Sequence, residues 1–120
     1  MRACSILIAV LLGLGSGCVL ADEVDDAMAL VRQGKADEAY RLLLPLSRLQ
    51  TGNTRLDVML GIAALDSGRA EEAIVALERA LSRQPALTAV RADLARAYLA
   101  VGRYVDARRE LKQVMASKST

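Results

Sequence analysis

Histidine, tryptophan and phenylalanine are missing from this 120-residue chain, and Tyr40, Tyr98 and Tyr104 are its only aromatic residues. Without imidazole, the commonest general base, proton shuttle and transition-metal ligand is gone. The two cysteines, Cys4 and Cys18, both lie within the first 18 residues. Once that stretch is removed, no disulfide, thiolate metal site or redox pair can form. No glycine-rich phosphate loop, metal-ligand spacing or nucleophile beside a base occurs, so neither cofactor nor metal is expected and most enzyme classes drop out. Strong charge of one sign is also lacking: 16 Lys and Arg against 14 Asp and Glu leave +2, which offers nucleic acid no electrostatic footprint. With 53% apolar residues, the composition is not that of a disordered chain. The length holds one domain at most.

Long apolar stretches are confined to the N-terminus. Met1 and Arg2 open the chain, no charge follows until Asp22, and the apolar centre runs from Ile6 to Leu14. That centre is too short to span a bilayer comfortably. Gly15-Ser16-Gly17 then weakens the helix, and Val19-Leu20-Ala21 places small residues where signal peptidase reads them. The expectation is a signal peptide over residues 1–21, cleaved after Ala21. Two alternatives attach the chain to a membrane: retention of this segment as an anchor, or lipidation of Cys18 within Gly15-Ser16-Gly17-Cys18. Small exported domains usually carry disulfides. The mature chain has no cysteine and no N-x-[ST] sequon, a combination that points to a bacterial periplasm.

What the remaining sequence has is periodicity. Gly34, Gly68 and Gly102 stand 34 residues apart, as do Ala39, Ala73 and Ala107, and the acids Glu38, Glu72 and Asp106. A cation follows each glycine: Lys35, Arg69 and Arg103. Leu43, Leu77 and Leu111 form another column, and Leu46, Ala80 and Val114 a further one. Each unit reads as two helices around its glycine, with faces such as Val90, Leu94, Ala97, Tyr98 and Val101, then Ala107, Leu111 and Val114. The glycine closes the first helix in the left-handed conformation. The acid four residues on lies in the opening turn of the second helix, favoured by its dipole. The alanine column marks close approach of the two helices.

The second unit, 54–87, reads Asp57-x2-Leu60-Gly61-x2-Ala64, then Ala73-x3-Leu77, Ala80 and Pro85. The third, 88–120, reads Arg91-x2-Leu94-Ala95-x2-Tyr98, then Ala107-x3-Leu111, with Ser119 in the proline column. This pattern resembles the tetratricopeptide repeat. The resemblance implies an all-α fold, a short right-handed solenoid of about three helix-turn-helix units, and an exported bacterial member of that family. The first unit, 22–53, is degenerate: Asp26, Ala27 and Leu30 occupy the Leu, Gly and Tyr columns. Terminal units commonly depart in this way because they cap the stack. Pro45 falls inside its second helix, predicting a kink or early stop near Leu44.

In tetratricopeptide proteins the first helices line a concave groove. Carried over column by column, that groove is Val24, Met28 and Val31, then Val58, Ile62 and Leu65, then Ala92, Arg96 and Leu99, with Arg32 and Arg55 nearby. The lining is mostly apolar. Val24 and Met28 stand where a carboxylate-clamp member would need polar groups, so that function is rejected. The surface suits an amphipathic helix or an extended apolar segment.

Charge rises along the chain. Residues 22–53 carry six acids and four bases (−2), 54–85 five and four (−1), and 86–120 three and seven (+4). The cationic end is either a solvated helix face or a contact for an acidic partner or anionic lipid. The sequence closes at Ala116-Ser117-Lys118-Ser119-Thr120 without a solvating helix. A final helix presenting Tyr104, Leu111 and Met115 is an expected association surface, for a homodimer or an obligate partner. The leading functional reading is a non-catalytic periplasmic adaptor. The alternative is a membrane-attached assembly factor of envelope secretion or polysaccharide export.

Overall fold

A computed structural model describes residues 16–119. The described residues form six α-helices and no strand: α1 Ser16–Arg32, α2 Ala36–Leu49, α3 Thr54–Asp66, α4 Ala70–Arg83, α5 Thr88–Ala100 and α6 Tyr104–Ser119. Residues 1–15 of the expected signal peptide, with Cys4 and the apolar centre, lie outside the described residues.

Each intra-unit turn is built the same way. Gly34, Gly68 and Gly102 adopt φ of 78°, 85° and 80°, a region that disfavours any residue with a Cβ. The following amides donate backward to close the preceding helix: Lys35 to the Leu30 carbonyl (2.8 Å), Arg69 to Ala64 (2.7 Å) and Arg103 to Tyr98 (2.8 Å). With the glycine amides bonding Val31, Leu65 and Leu99, these are three Schellman closures. Acids occupy the opening turns that follow: Asp37 and Glu38, Glu71 and Glu72, and Asp106. The turn between the first two units is different. Asn53 caps α3, its side-chain oxygen accepting from the Leu56 amide at 3.0 Å, a bond worth about 1 kcal/mol.

The helices pack in chain order, α1 on α2, α2 on α3, and so on to α6. Ala39, Ala73 and Ala107 are buried in the core, and Leu43, Leu56 and Leu77 are sealed from solvent. Gly61 gives the closest approach: a Cβ there would lie 2.5 Å from Leu77 Cδ2. Full burial of each leucine contributes about 1.5–3 kcal/mol. The stack measures 50 × 28 × 22 Å.

Pro45 does not stop its helix. α2 continues to Leu49, and the Gln50 amide closes it on the Leu46 carbonyl at 2.8 Å. Pro45 is exposed, so its ring meets water rather than the core. Half-buried Leu44 and Leu46 pack against the core on either side of it, and this packing holds the turn that propensity alone would break.

Tyr98 pins α5 to α4. Its hydroxyl donates to the Glu78 carboxylate, and the Arg103 guanidinium lies over its ring, 4.5 Å from the centroid. Burial, then the bond to Glu78, pushes the phenol up to about 12. An unfolded tyrosine titrates near 10. Below that pH both states hold the proton and the contribution to stability is complete. Between about 10 and 12 only the unfolded chain loses it, so stability falls as pH rises. Urea titrations should show this alkaline loss in the parent. Tyr98→Phe should lack it and be less stable by about 1 kcal/mol at neutral pH; an unchanged alkaline slope in that variant refutes the assignment.

Candidate functional site

The two helix sets of the stack are not equivalent. α1 approaches α3 and α3 approaches α5, whereas among the described residues α2, α4 and α6 make no comparable approach to one another. The first helices thus form the closed inner layer, and the second helices fan outward.

Along the inner layer, Met28, Val31, Val58, Ile62 and Leu65 are half-buried, packed against the core with one side left to solvent. Ala92 is half-buried, Arg96 is exposed and Leu99 is 47% exposed. Val24 departs from the expected lining. At 2% exposure it belongs with Ala27 to the core, because α1 packs on both α2 and α3 and Val24 is enclosed there. Two of the three neighbouring arginines are engaged in ion pairs. Arg55 binds Asp25 at 2.7 Å, and Arg96 binds Asp93 at 3.0 Å and reaches Asp66 of α3 at 3.5 Å. Arg32 is exposed at the end of α1.

The fanning of the outer helices opens a cleft of about 400 Å³ between α2 and α4, floored by Tyr40, Leu44, Leu60 and Val75. Arg48, Arg79 and Arg83 rim it, with Asp57 and Glu72. Asp57 is buried and accepts from Arg79 Nη2 at 3.0 Å and Arg83 Nη1 at 2.8 Å. No sequence pattern led to this cluster, because its members stand 22 and 26 residues apart. The only clue was Asp57 in a column that the resemblance fills with tryptophan. One unit later Arg91 holds that column and also makes an ion pair, to buried Glu110 of α6 at 2.9 Å. In both units a charge pair replaces an aromatic wedge between first and second helix. Each has an arginine partner open to solvent, which keeps its desolvation cost modest.

One of the cations after the turn glycines, Arg69, also acts across units. Arg69 lies over the Tyr40 ring at 4.3 Å and binds Asp37 at 2.7 Å, tying α2 to the start of α4. The Arg69 hydrogen bond holds the Asp37 carboxyl below the usual carboxylate range, and Arg103 and Arg109 do the same to Asp106.

Two tetratricopeptide repeat family models match the sequence, one over residues 24–45 and the other over 64–119. The chain belongs to the tetratricopeptide repeat family. Between them the matches cover more than half of it and include the degenerate first unit. A comparison with curated proteins finds no match. Tetratricopeptide repeat proteins are generally interaction scaffolds that bind protein or peptide partners.

In this family member the remaining sequence-derived positions are structural. Gly61, Ala73, Ala80, Tyr98 and Ala107 are buried, and Pro85 lies exposed in the loop after α4, where its carbonyl accepts from Arg91 at 2.9 Å. Among the described residues no cluster of three His, Cys, Asp or Glu is placed to hold a metal, and no helix is long and apolar enough to cross a membrane. On α6, Tyr104, Val105, Leu111 and Met115 are exposed.

Proposed function

We propose that this tetratricopeptide repeat protein is a non-catalytic adaptor, exported to the bacterial periplasm, that holds a protein partner on the inner helix layer. The observation that carries this reading is the strip from Met28 and Val31 through Val58, Ile62 and Leu65 to Leu99, which shows apolar surface to solvent along all three units. Its occupant is the apolar face of an amphipathic helix or an extended apolar segment. The uncharged stretch from Ala3 to Ala21 supports export, and the absence of cysteine after it suits a bacterial periplasm. The exposed face of α6 is a second association surface, through which the chain pairs with itself.

Leu99 is the cleaner probe of the strip because it is exposed, whereas Ile62 is half-buried. Cross-linking in the envelope followed by mass spectrometry should identify the same partner repeatedly with the parent. Leu99→Glu should reduce its capture about tenfold with helix content unchanged, and Ile62→Glu should reduce it further. Capture of that partner at parental levels by both folded variants removes the inner layer as the site. Intact-mass measurement of the exported chain should give a start at Asp22; a diacyl addition on Cys18 contradicts the soluble form.

A further inference from the structure

The cleft between α2 and α4 lies away from the inner helix layer, and its charges are ordered along its length. Asp57 stands in the first turn of α3 and draws Arg79 and Arg83, from the last two turns of α4, onto one carboxylate. Arg48 lines the same cleft from the last turn of α2, a short loop before α3 begins, so the three guanidiniums share one end. Arg48 is exposed and forms no ion pair or hydrogen bond with any described residue. Three cations stand against one acid at that end, which leaves two positive charges over. The other end has the opposite sign: Glu72, in the first turn of α4, lines the cleft, is exposed, and is equally without a partner among the described residues. Between the two ends the surface is apolar, from half-buried Leu44 and from Val75, which is 53% exposed.

The repeat does not impose this order. One unit later the columns of Leu44, Arg48, Val75 and Arg79 read Glu78, Ser82, Arg109 and Gln113, so the next pair of second helices has neither the arginine end nor the apolar middle. A cationic end, an apolar middle and an anionic end in line exclude occupants that match only one part. A phosphate leaves the apolar floor uncovered, and an acyl chain with its carboxylate brings nothing to Glu72. We infer that the cleft between α2 and α4 is a second docking site, for an extended partner segment whose apolar side chain stands between an acid and a base. The acid accepts from Arg48 and from the N–H groups that Arg79 and Arg83 do not give to Asp57. The apolar side chain covers Leu44 and Val75, and the base pairs with Glu72. From Glu72 to Arg79 the helix rises about 10 Å, which an extended chain covers in about three residues, so acid and base stand about three or four positions apart. The site is separate from the inner strip, and either can fail without the other.

Fluorescence polarisation tests it with an array of short peptides, carrying an uncharged dye at the amino end and an amide at the other so that no terminal charge contributes. Asp or Glu, then Leu or Phe, then Lys or Arg are placed at that spacing, in both chain directions. The parent should bind members of the array, and replacing their acid by its amide should weaken binding about tenfold or more. Arg48→Glu and Val75→Glu, both at exposed positions, should do the same with parental helix content. Lys112→Glu, an equal change of charge on α6, should not. Glu72→Arg should reverse the preference at the basic position, losing the Lys peptide and binding its Glu counterpart; a preference that does not reverse overturns the assignment. Equal weakening by Arg48→Glu and Lys112→Glu would mean charge attraction without a site. If Leu99→Glu abolishes binding and Arg48→Glu does not, the segment lies on the inner strip and the cleft assignment falls, while the adaptor reading stands. If no peptide binds, or if decanoate or inorganic phosphate binds instead, the assignment falls as well.

Discussion

Leu77→Ala is expected to lower the free energy of unfolding by about 2–5 kcal/mol, measured by urea denaturation followed through helix content. Leu77 is fully enclosed, standing on α4 against Gly61 of α3. Removing its isobutyl group therefore takes away both transfer energy and contacts that the rigid glycine side cannot follow. A domain of this size has about 5–15 kcal/mol in total, so this one side chain represents a large share. The repeat provides its own control. Leu111 occupies the same column of α6 yet is 41% exposed, and Leu111→Ala should cost less than about 1 kcal/mol in the monomer. Equal losses at the two positions would mean that burial by the following helix is not what distinguishes them.

Gly61→Val should be comparably severe, at about 3 kcal/mol. Its Cβ would lie 2.5 and 2.6 Å from Leu77 Cδ2 and Cγ, and Leu77 has no open space to move into. The better helix propensity of valine recovers only a few tenths of a kcal/mol. The diagnostic experiment is the alanine variant in two backgrounds. In the parent, Gly61→Ala should destabilise, because the collision outweighs the gain of about 1 kcal/mol from replacing a helical glycine. In the Leu77→Ala background the space is vacant and the same change should stabilise by about 1 kcal/mol. A sign that does not reverse denies that these two residues meet across the helix pair.

The 34-residue step was legible because it records local geometry repeated three times: a left-handed glycine, an acid in the next opening turn, a small residue at the crossing. Other features were not. Pro45 reads as a kink or an early stop, and of the two the stop does not occur: the packing of Leu44 and Leu46 carries α2 through it to Leu49. Val24 reads as groove surface, but the packing of α1 on two helices encloses it. The Asp57 cluster joins residues more than 20 positions apart, and nothing local announces that Arg79 and Arg83 converge on one carboxylate.

The amino-acid pattern alone determined the helical class, the unit length and the turn positions, because each depends on residues within a few places of one another. Exposure was decided only in three dimensions. Leu43, Leu77 and Leu111 are the same residue in the same column, and whether each becomes core or surface depends on which helix packs over it.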